Sequence, residues 1–105
     1  MDSRIERLEA VIKARKGADP SSSYVASLFD KGTAKIAQKV GEEATETIIA
    51  ALHEGPEKLT SEAADLIFHL SILLADAGLS MDDVLSELER REGVSGIDEK
   101  ASRKG

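Results

Sequence analysis

Two groups of acidic residues stand at the spacing of a helical turn. Glu42, Glu43 and Glu46 form the first group, and Glu62 and Asp65 form the second. Residues three or four apart lie on the same side of a helix, so each group presents its carboxylates in one direction. If the two segments are antiparallel helices joined by a short loop, the Glu43 and Glu46 side chains face those of Glu62 and Asp65. We therefore expect four carboxylates to converge.

Carboxylates brought this close repel one another, and burial adds the cost of removing them from water. A divalent cation offsets both costs. The predicted ligands are hard oxygens, without thiolate or an obligatory imidazole, and such ligands favour Mg²⁺, with Mn²⁺ as the alternative, over zinc or copper. The sequence thus predicts a Mg²⁺ site that shares its coordination sphere with substrate phosphates.

A row of lysines precedes the first acidic group. Lys31, Lys35 and Lys39 recur at every fourth position, and Lys39 shares a helical face with Glu43 and Glu46. Ammonium groups leading towards a carboxylate-bound metal suit a polyphosphate substrate. The G-x-x-x-x-G-K-[ST] pattern of a P-loop does not occur in the sequence. We predict that Lys35 and Lys39 bind substrate phosphates.

Apolar periodicity, capping residues and glycines predict the helices that must carry these side chains. Ser3, Ser23 and Ser80 are the candidate N-caps, with Asp83 completing a capping box with Ser80. Gly32 interrupts the chain between the second helix and the third, and Gly78 suits the end of the fourth. The predicted helices cover residues 3–15, 24–31, 33–53, 57–77 and 80–91.

The predicted architecture is all-α, a helical bundle built on the two long antiparallel helices. These helices are apolar on more sides than so short a chain can cover, which predicts a homodimer. We expect Val84, Leu85 and Leu88 of the last helix to point inward. Residues 1–91 are predicted to form one domain, and residues 92–105, rich in charge and glycine, a mobile tail.

Composition excludes several classes of protein. The 105 residues carry 20 acids and 14 bases, a net charge of -6, so no broad basic surface is available for nucleic acid. No cysteine is present, which excludes disulfides and thiolate metal sites. The sequence also contains no apolar run of the roughly 18 residues that a membrane span requires. We expect a cytoplasmic protein.

Other interpretations of these residues stay open at this stage. Charged stripes on helices are commonly solvated, and Lys39 with Glu43 would then be an ordinary i,i+4 ion pair. His69 suits a core or supporting role through a hydrogen bond with Asp65, His53 a helix C-terminus, and Arg90 and Arg91 either a helix end or a substrate phosphate. A di-iron carboxylate bundle is the rival metal centre, but neither histidine follows a glutamate by three positions.

The acidic pattern, Glu42-Glu43-x-x-Glu46 followed by Glu62-x-x-Asp65, is similar to the E-E-x-x-E…E-x-x-D signature of the all-α (MazG-like) NTP pyrophosphatases. Within them, the surrounding sequence resembles the phosphoribosyl-ATP pyrophosphohydrolases of histidine biosynthesis. The resemblance is carried by SYVASLF (23–29), KGTAKIAQKVGEEATETIIAAL (31–52), EAADLIFHLSILLADAGLS (62–80) and ELERR (87–91).

The resemblance implies hydrolysis of phosphoribosyl-ATP to phosphoribosyl-AMP and pyrophosphate, dependence on Mg²⁺ and a helical homodimer. It also implies metal ligation by Glu43, Glu46, Glu62 and Asp65, with Glu42 as a further ligand or water-activating base. Lys39 would contact phosphate. Val25 departs from the family, which more often has threonine there. A housekeeping pyrophosphatase of noncanonical nucleotides and a non-catalytic helical interaction module remain the alternative functions.

Overall fold

The computed structural model describes residues 2–93, and every regular element within them is a helix. The all-α prediction is therefore confirmed. The predicted tail at 92–105 falls, apart from Glu92 and Gly93, outside the described residues. The helices are α1 (Ser3–Arg15), α2 (Tyr24–Lys31), α3 (Thr33–His53), α4 (Pro56–Asp76) and α5 (Met81–Arg90).

The two long helices, α3 and α4, pack against each other along their length and form the central hairpin. Gly55 connects them with a φ of 90°, a conformation that glycine adopts without steric cost, and Pro56 occupies the first turn of α4, where a missing N–H is tolerated. The predicted antiparallel hairpin is confirmed, and α4 begins one residue earlier than expected.

The apolar core is small and aliphatic, and it lies between α1, α2 and the hairpin. Its buried members come from four helices, with Phe29 and Phe68 partly buried against them. This core fixes α2 beside the middle of the hairpin. The buried residues are Ile12, Val25, Leu28, Ile36 and Ile72.

The helix boundaries follow their capping residues, with one correction. Ser23 accepts the N–H of Ala26 at 3.0 Å, and Ser80 forms the predicted capping box with Asp83. Ser3 is not the first N-cap, because it already lies in the helix. Asp2 has an extended backbone and accepts the N–H of Arg4 at 2.8 Å.

The last helix, α5, is attached mainly at its start. Met81 is its one buried residue among those described, and the Met81 N–H donates to Oε2 of Glu9 on α1 at 2.8 Å. The expectation that Leu85 and Leu88 point inward is wrong, since their exposed fractions are 40% and 53%. The helix is bent away from α4 by 98°, and among the described residues few contact it.

A search of the described helices for membrane spans finds no single one that is long and apolar enough. Taken together α4 and α5 meet the criteria of length and composition, but they are bent by 98° at the break between them.

Candidate functional site

Three acidic side chains from the two long helices meet at their interface. Oxygen atoms of Glu43 on α3 and of Glu62 and Asp65 on α4 all lie within 4.8 Å of one another. Glu43 and Glu62 are buried, whereas Asp65 is exposed. We call these residues the carboxylate triad. The hairpin thus brings together three of the four carboxylates that the sequence predicts to converge.

The fourth predicted ligand, Glu46, lies just outside the triad. It is exposed and lines an adjoining open cavity of about 220 Å³ together with Glu62, Lys58, Glu54 and Ile49. Helical spacing alone does not separate it from Glu43, since Asp65 stands at the same spacing from Glu62 and belongs to the triad. Its assignment as a ligand stays a prediction.

The triad contains two oxygen atoms whose hydrogen-bonding capacity is unused. Oε2 of Glu43 and Oε2 of Glu62 are both buried without a hydrogen-bond partner. Buried acceptors are nearly always paired in native proteins, and an unpaired buried carboxylate oxygen is costly. A hard cation bound between the carboxylates would satisfy both oxygens, so the residues present fit Mg²⁺ or Mn²⁺.

One cation of the protein itself approaches the triad, and the sequence reasoning missed it. Nζ of Lys58 lies 3.3 Å from Oε1 of Glu62, and this hydrogen bond is the main reason that the pKa of Lys58 is raised. Lys58 neutralises part of the charge of Glu62 without reaching its buried Oε2. The i,i+4 spacing from Lys58 to Glu62 was the available signal in the sequence.

On α3, Lys39 pairs with Glu42 and not with Glu43. Nζ of Lys39 lies 3.4 Å from Oε1 of Glu42, whose Oε2 accepts a hydrogen bond from Gln38 at 2.9 Å. The Gln38 bond, and then Lys39, lower the pKa of Glu42, which keeps it ionised. The interpretation of Lys39 and Glu43 as a simple ion pair is therefore wrong, because Glu43 points into the helix interface.

The row of lysines that leads to Lys39 begins at the break between α2 and α3. Lys31 is the exposed last residue of α2, and Lys35 is half-buried in the first turn of α3. Gly32, with a φ of 95°, separates the two helices. The row of lysines is thus divided between two helices, and only Lys35 and Lys39 share one with the carboxylates.

A tyrosine and a histidine connect α2 with the part of α4 that carries Asp65. The Tyr24 hydroxyl lies 2.7 Å from Nε2 of His69, and Nδ1 of His69 lies 2.7 Å from the backbone carbonyl oxygen of Asp65. A carbonyl only accepts, so Nδ1 carries a proton, and in the neutral imidazole Nε2 accepts from Tyr24. The predicted link between His69 and Asp65 therefore exists through the backbone. Tyr24 was not predicted.

The two arginines at the end of α5 share a local partner, and His53 lies at the end of α3. Arg90 and Arg91 both bond to Glu87 on α5, at 2.6 and 3.2 Å, and Arg90 is the main reason that the pKa of Glu87 falls to about 2. His53 is exposed in the last turn of α3, the location expected for a partner of the helix dipole. These contacts agree with the helix-end interpretation.

Comparisons with known proteins agree on one family. A family model described as phosphoribosyl-ATP pyrophosphohydrolase matches residues 5–92, a span that includes the triad, Lys39, Tyr24 and His69. The chain is 64% identical over 99 residues to a phosphoribosyl-ATP pyrophosphatase of Erythrobacter litoralis, covering 94% of this chain and 95% of that protein. A protein with the same description from Zymomonas mobilis is 65% identical, and the match covers 91% of this chain and 90% of that protein. Another from Rhizorhabdus wittichii is 59% identical, and the match covers 98% of this chain and 97% of that protein.

Proposed function

The chain belongs to the phosphoribosyl-ATP pyrophosphohydrolase family, and we propose that it hydrolyses phosphoribosyl-ATP to phosphoribosyl-AMP and pyrophosphate, the second step of histidine biosynthesis. The observation that carries the proposal is the family match along residues 5–92, within which the carboxylate triad lies. The three relatives described above share one activity by name, which argues against a housekeeping pyrophosphatase of other nucleotides.

The proposal includes Mg²⁺, with Mn²⁺ as the alternative, held by Glu43, Glu62 and Asp65. Two unpartnered buried oxygens and the uniformly hard donor set support it. Glu46 is proposed as a fourth ligand, because it borders the same cavity as Glu62. When bound, the cation would neutralise the charge that develops on the phosphates during cleavage of the α–β bond.

The remaining assignments concern side chains of the chain itself. Lys39 and Lys35 are proposed to bind the substrate phosphates as ammonium donors on the same helix as Glu43. Glu42 is proposed to orient the attacking water: it is exposed and ionised, and Gln38 and Lys39 restrain its carboxylate. A carboxylate with a lowered pKa is a weak base, so this role is mainly one of positioning.

A homodimer in the cytoplasm completes the proposal. Large apolar residues are exposed on the hairpin, among them Leu52 with 70%, Ile48 with 60% and Ile49 with 46% exposure. All three lie in the second half of α3, and contiguous exposed apolar surface commonly marks an interface. The cysteine-free sequence suits a reducing compartment.

The proposed function is tested by incubating the purified protein with Mg²⁺ and, separately, phosphoribosyl-ATP, dUTP or ATP, and measuring pyrophosphate. We expect pyrophosphate from phosphoribosyl-ATP alone, and EDTA should abolish its release. Release from dUTP would support the housekeeping alternative. No release from any of the three nucleotides would favour a non-catalytic interaction module.

A further inference from the structure

Tyr24 is the one aromatic residue that combines exposure with proximity to the carboxylate triad. The chain has one tyrosine, two phenylalanines and no tryptophan, and both phenylalanines are partly buried against the core. Tyr24, at the start of α2, is 48% exposed. A half-exposed aromatic ring loses part of the free energy that full burial would provide. Core packing alone therefore does not explain its location.

The orientation of this ring is fixed from two sides. Its hydroxyl bonds to Nε2 of His69 at 2.7 Å, and His69 is buried and bonded in turn to the Asp65 carbonyl. One face of the Tyr24 ring lies towards Phe68, with centroids 6.4 Å apart and planes inclined by 17°. The hydroxyl is thus engaged within the protein and the ring contacts Phe68 and His69, while about half of the residue's surface stays exposed.

The phenol is also within electrostatic range of the proposed reaction site. Burial of the hydroxyl is the main reason that the pKa of Tyr24 is raised, but the charges of Lys39, Glu43, Glu42 and Asp65 also act on it. The ordinary pKa of a phenol already lies far above physiological pH, so Tyr24 is neutral there with or without this shift. The geometric link is His69, which joins the Tyr24 hydroxyl to the backbone of Asp65, one of the residues to which we assign the metal.

We propose that Tyr24 is a nucleotide-binding residue on whose exposed face the adenine of the substrate stacks, and that His69 is a positioning residue which holds the ring in the required orientation. This inference rests on the proposed function and deepens it. The substrate carries an adenine base in addition to phosphates, and aromatic faces bind bases by stacking. The lysines and the triad supply no such surface.

The first test is kinetic. Stacking of a base on an aromatic side chain contributes roughly 1–3 kcal/mol, so Tyr24→Leu should raise KM for phosphoribosyl-ATP about 5-fold or more and leave kcat nearly unchanged. Tyr24→Phe keeps the ring and loses the bond to His69, so its KM should rise less. Phe29→Leu is the matched control, because it removes an aromatic ring from the same helix on the side that faces Lys16. Its KM should equal that of the wild type.

The second test uses tyrosine fluorescence, which in this chain reports Tyr24 alone. Addition of phosphoribosyl-AMP should quench the emission in a saturable manner, with N-acetyltyrosinamide at the same nucleotide concentrations as the control for absorption. Equilibrium dialysis measures binding independently. If the wild type releases pyrophosphate but Tyr24→Leu keeps the wild-type KM, or if bound phosphoribosyl-AMP leaves the emission unchanged, the inference is overturned and the proposed function stands. A wild-type protein that releases no pyrophosphate overturns both.

Discussion

Oε1 of Glu62 lies 3.3 Å from the ammonium group of Lys58, while Oε2 of the same carboxylate is buried without a hydrogen-bond partner. One oxygen thus has a partner within the protein and the other has none, and the carboxylate belongs to the group formed with Glu43 and Asp65. If a cation binds there, as we propose, its free energy of binding adds to the free energy of unfolding.

The first prediction concerns stability with and without metal. MgCl₂ should raise the unfolding temperature of the wild type, since a ligand at 100 times its Kd stabilises the folded state by about 2.7 kcal/mol. Glu43→Gln and Glu62→Gln should unfold in EDTA at the wild-type temperature or above it, and they should lose the response to Mg²⁺. Glu89→Gln, an exposed change on α5, is the control and should keep the full response. If calorimetry shows that Mg²⁺ still raises the unfolding temperature of both variants, the assignment of Glu43 and Glu62 as ligands is contradicted.

The second prediction separates Glu42 from the metal ligands. Acid–base groups typically contribute about 10²–10⁴-fold to a rate, so Glu42→Gln should lower kcat/KM within or below that range. The double variant Glu43→Gln with Asp65→Asn removes two of the three triad carboxylates and should lose more activity. Steady-state assays with phosphoribosyl-ATP provide the comparison. If kcat/KM falls equally and only mildly in both variants, Glu42 and the proposed metal ligands do not have separate roles.

The third prediction concerns phosphate binding by Lys39. A hydrogen bond to a charged group is worth about 1.5–3 kcal/mol, so Lys39→Gln should raise KM for phosphoribosyl-ATP about 10-fold or more. Lys13→Gln removes an exposed lysine of α1 and serves as the control for net charge. The two variants are compared at the same ionic strength. An identical KM in both would show that Lys39 acts only through the general charge of the protein.

The fourth prediction concerns the exposed apolar residues of α3. Leu52→Glu places a charge on the most exposed of them and should convert a dimer to a monomer, as measured by light scattering at micromolar concentration. Val11→Glu changes an apolar residue of α1 that is 54% exposed, and it should leave the dimer intact. A wild-type protein that is itself monomeric would remove the homodimer from the proposal.

The fifth prediction concerns the titration of Glu87. Hydrogen bonds from Arg90, and then from Arg91, hold its pKa at about 2 instead of its ordinary 4.5. A carboxylate with a depressed pKa contributes stability above its ordinary pKa and loses it as the pH falls towards the depressed value. Carboxyl NMR should therefore show Glu87 ionised at pH 4, while Arg90→Gln should bring its titration midpoint closer to 4.5. A midpoint near 4.5 in the wild type would refute the pairing.

The hairpin and most of its carboxylates could be predicted because they depend on local rules. Gly55 and Pro56 mark the turn, helical spacing puts Glu62 and Asp65 on one face, and an antiparallel return brings Glu43 opposite them. Glu46 has the same spacing from Glu43 that Asp65 has from Glu62, yet it lies outside the triad. Spacing fixes a face of one helix, whereas the rotation of one helix against another depends on packing.

The contact between α2 and α4 could not be predicted from the sequence pattern. The bond from Tyr24 to His69 depends on how α2 crosses α4, and no periodicity within either helix encodes it. Periodicity also misled the prediction for α5: Leu85 and Leu88 form a clear apolar face, but both stay exposed within residues 2–93. An amphipathic pattern predicts which face of a helix is apolar and does not predict what covers that face.

The hydrogen bond between the carboxylate of Glu9 and the Met81 N–H joins the first helix to the beginning of the last. Shortening the protein from its amino terminus through Glu9 would therefore leave the opening turn of a helix near the opposite terminus without one of its acceptors. A deletion at the amino-terminal end would therefore weaken the start of α5, near the other end of the chain. Amide hydrogen exchange at Met81 would record it, as faster exchange in the shortened protein.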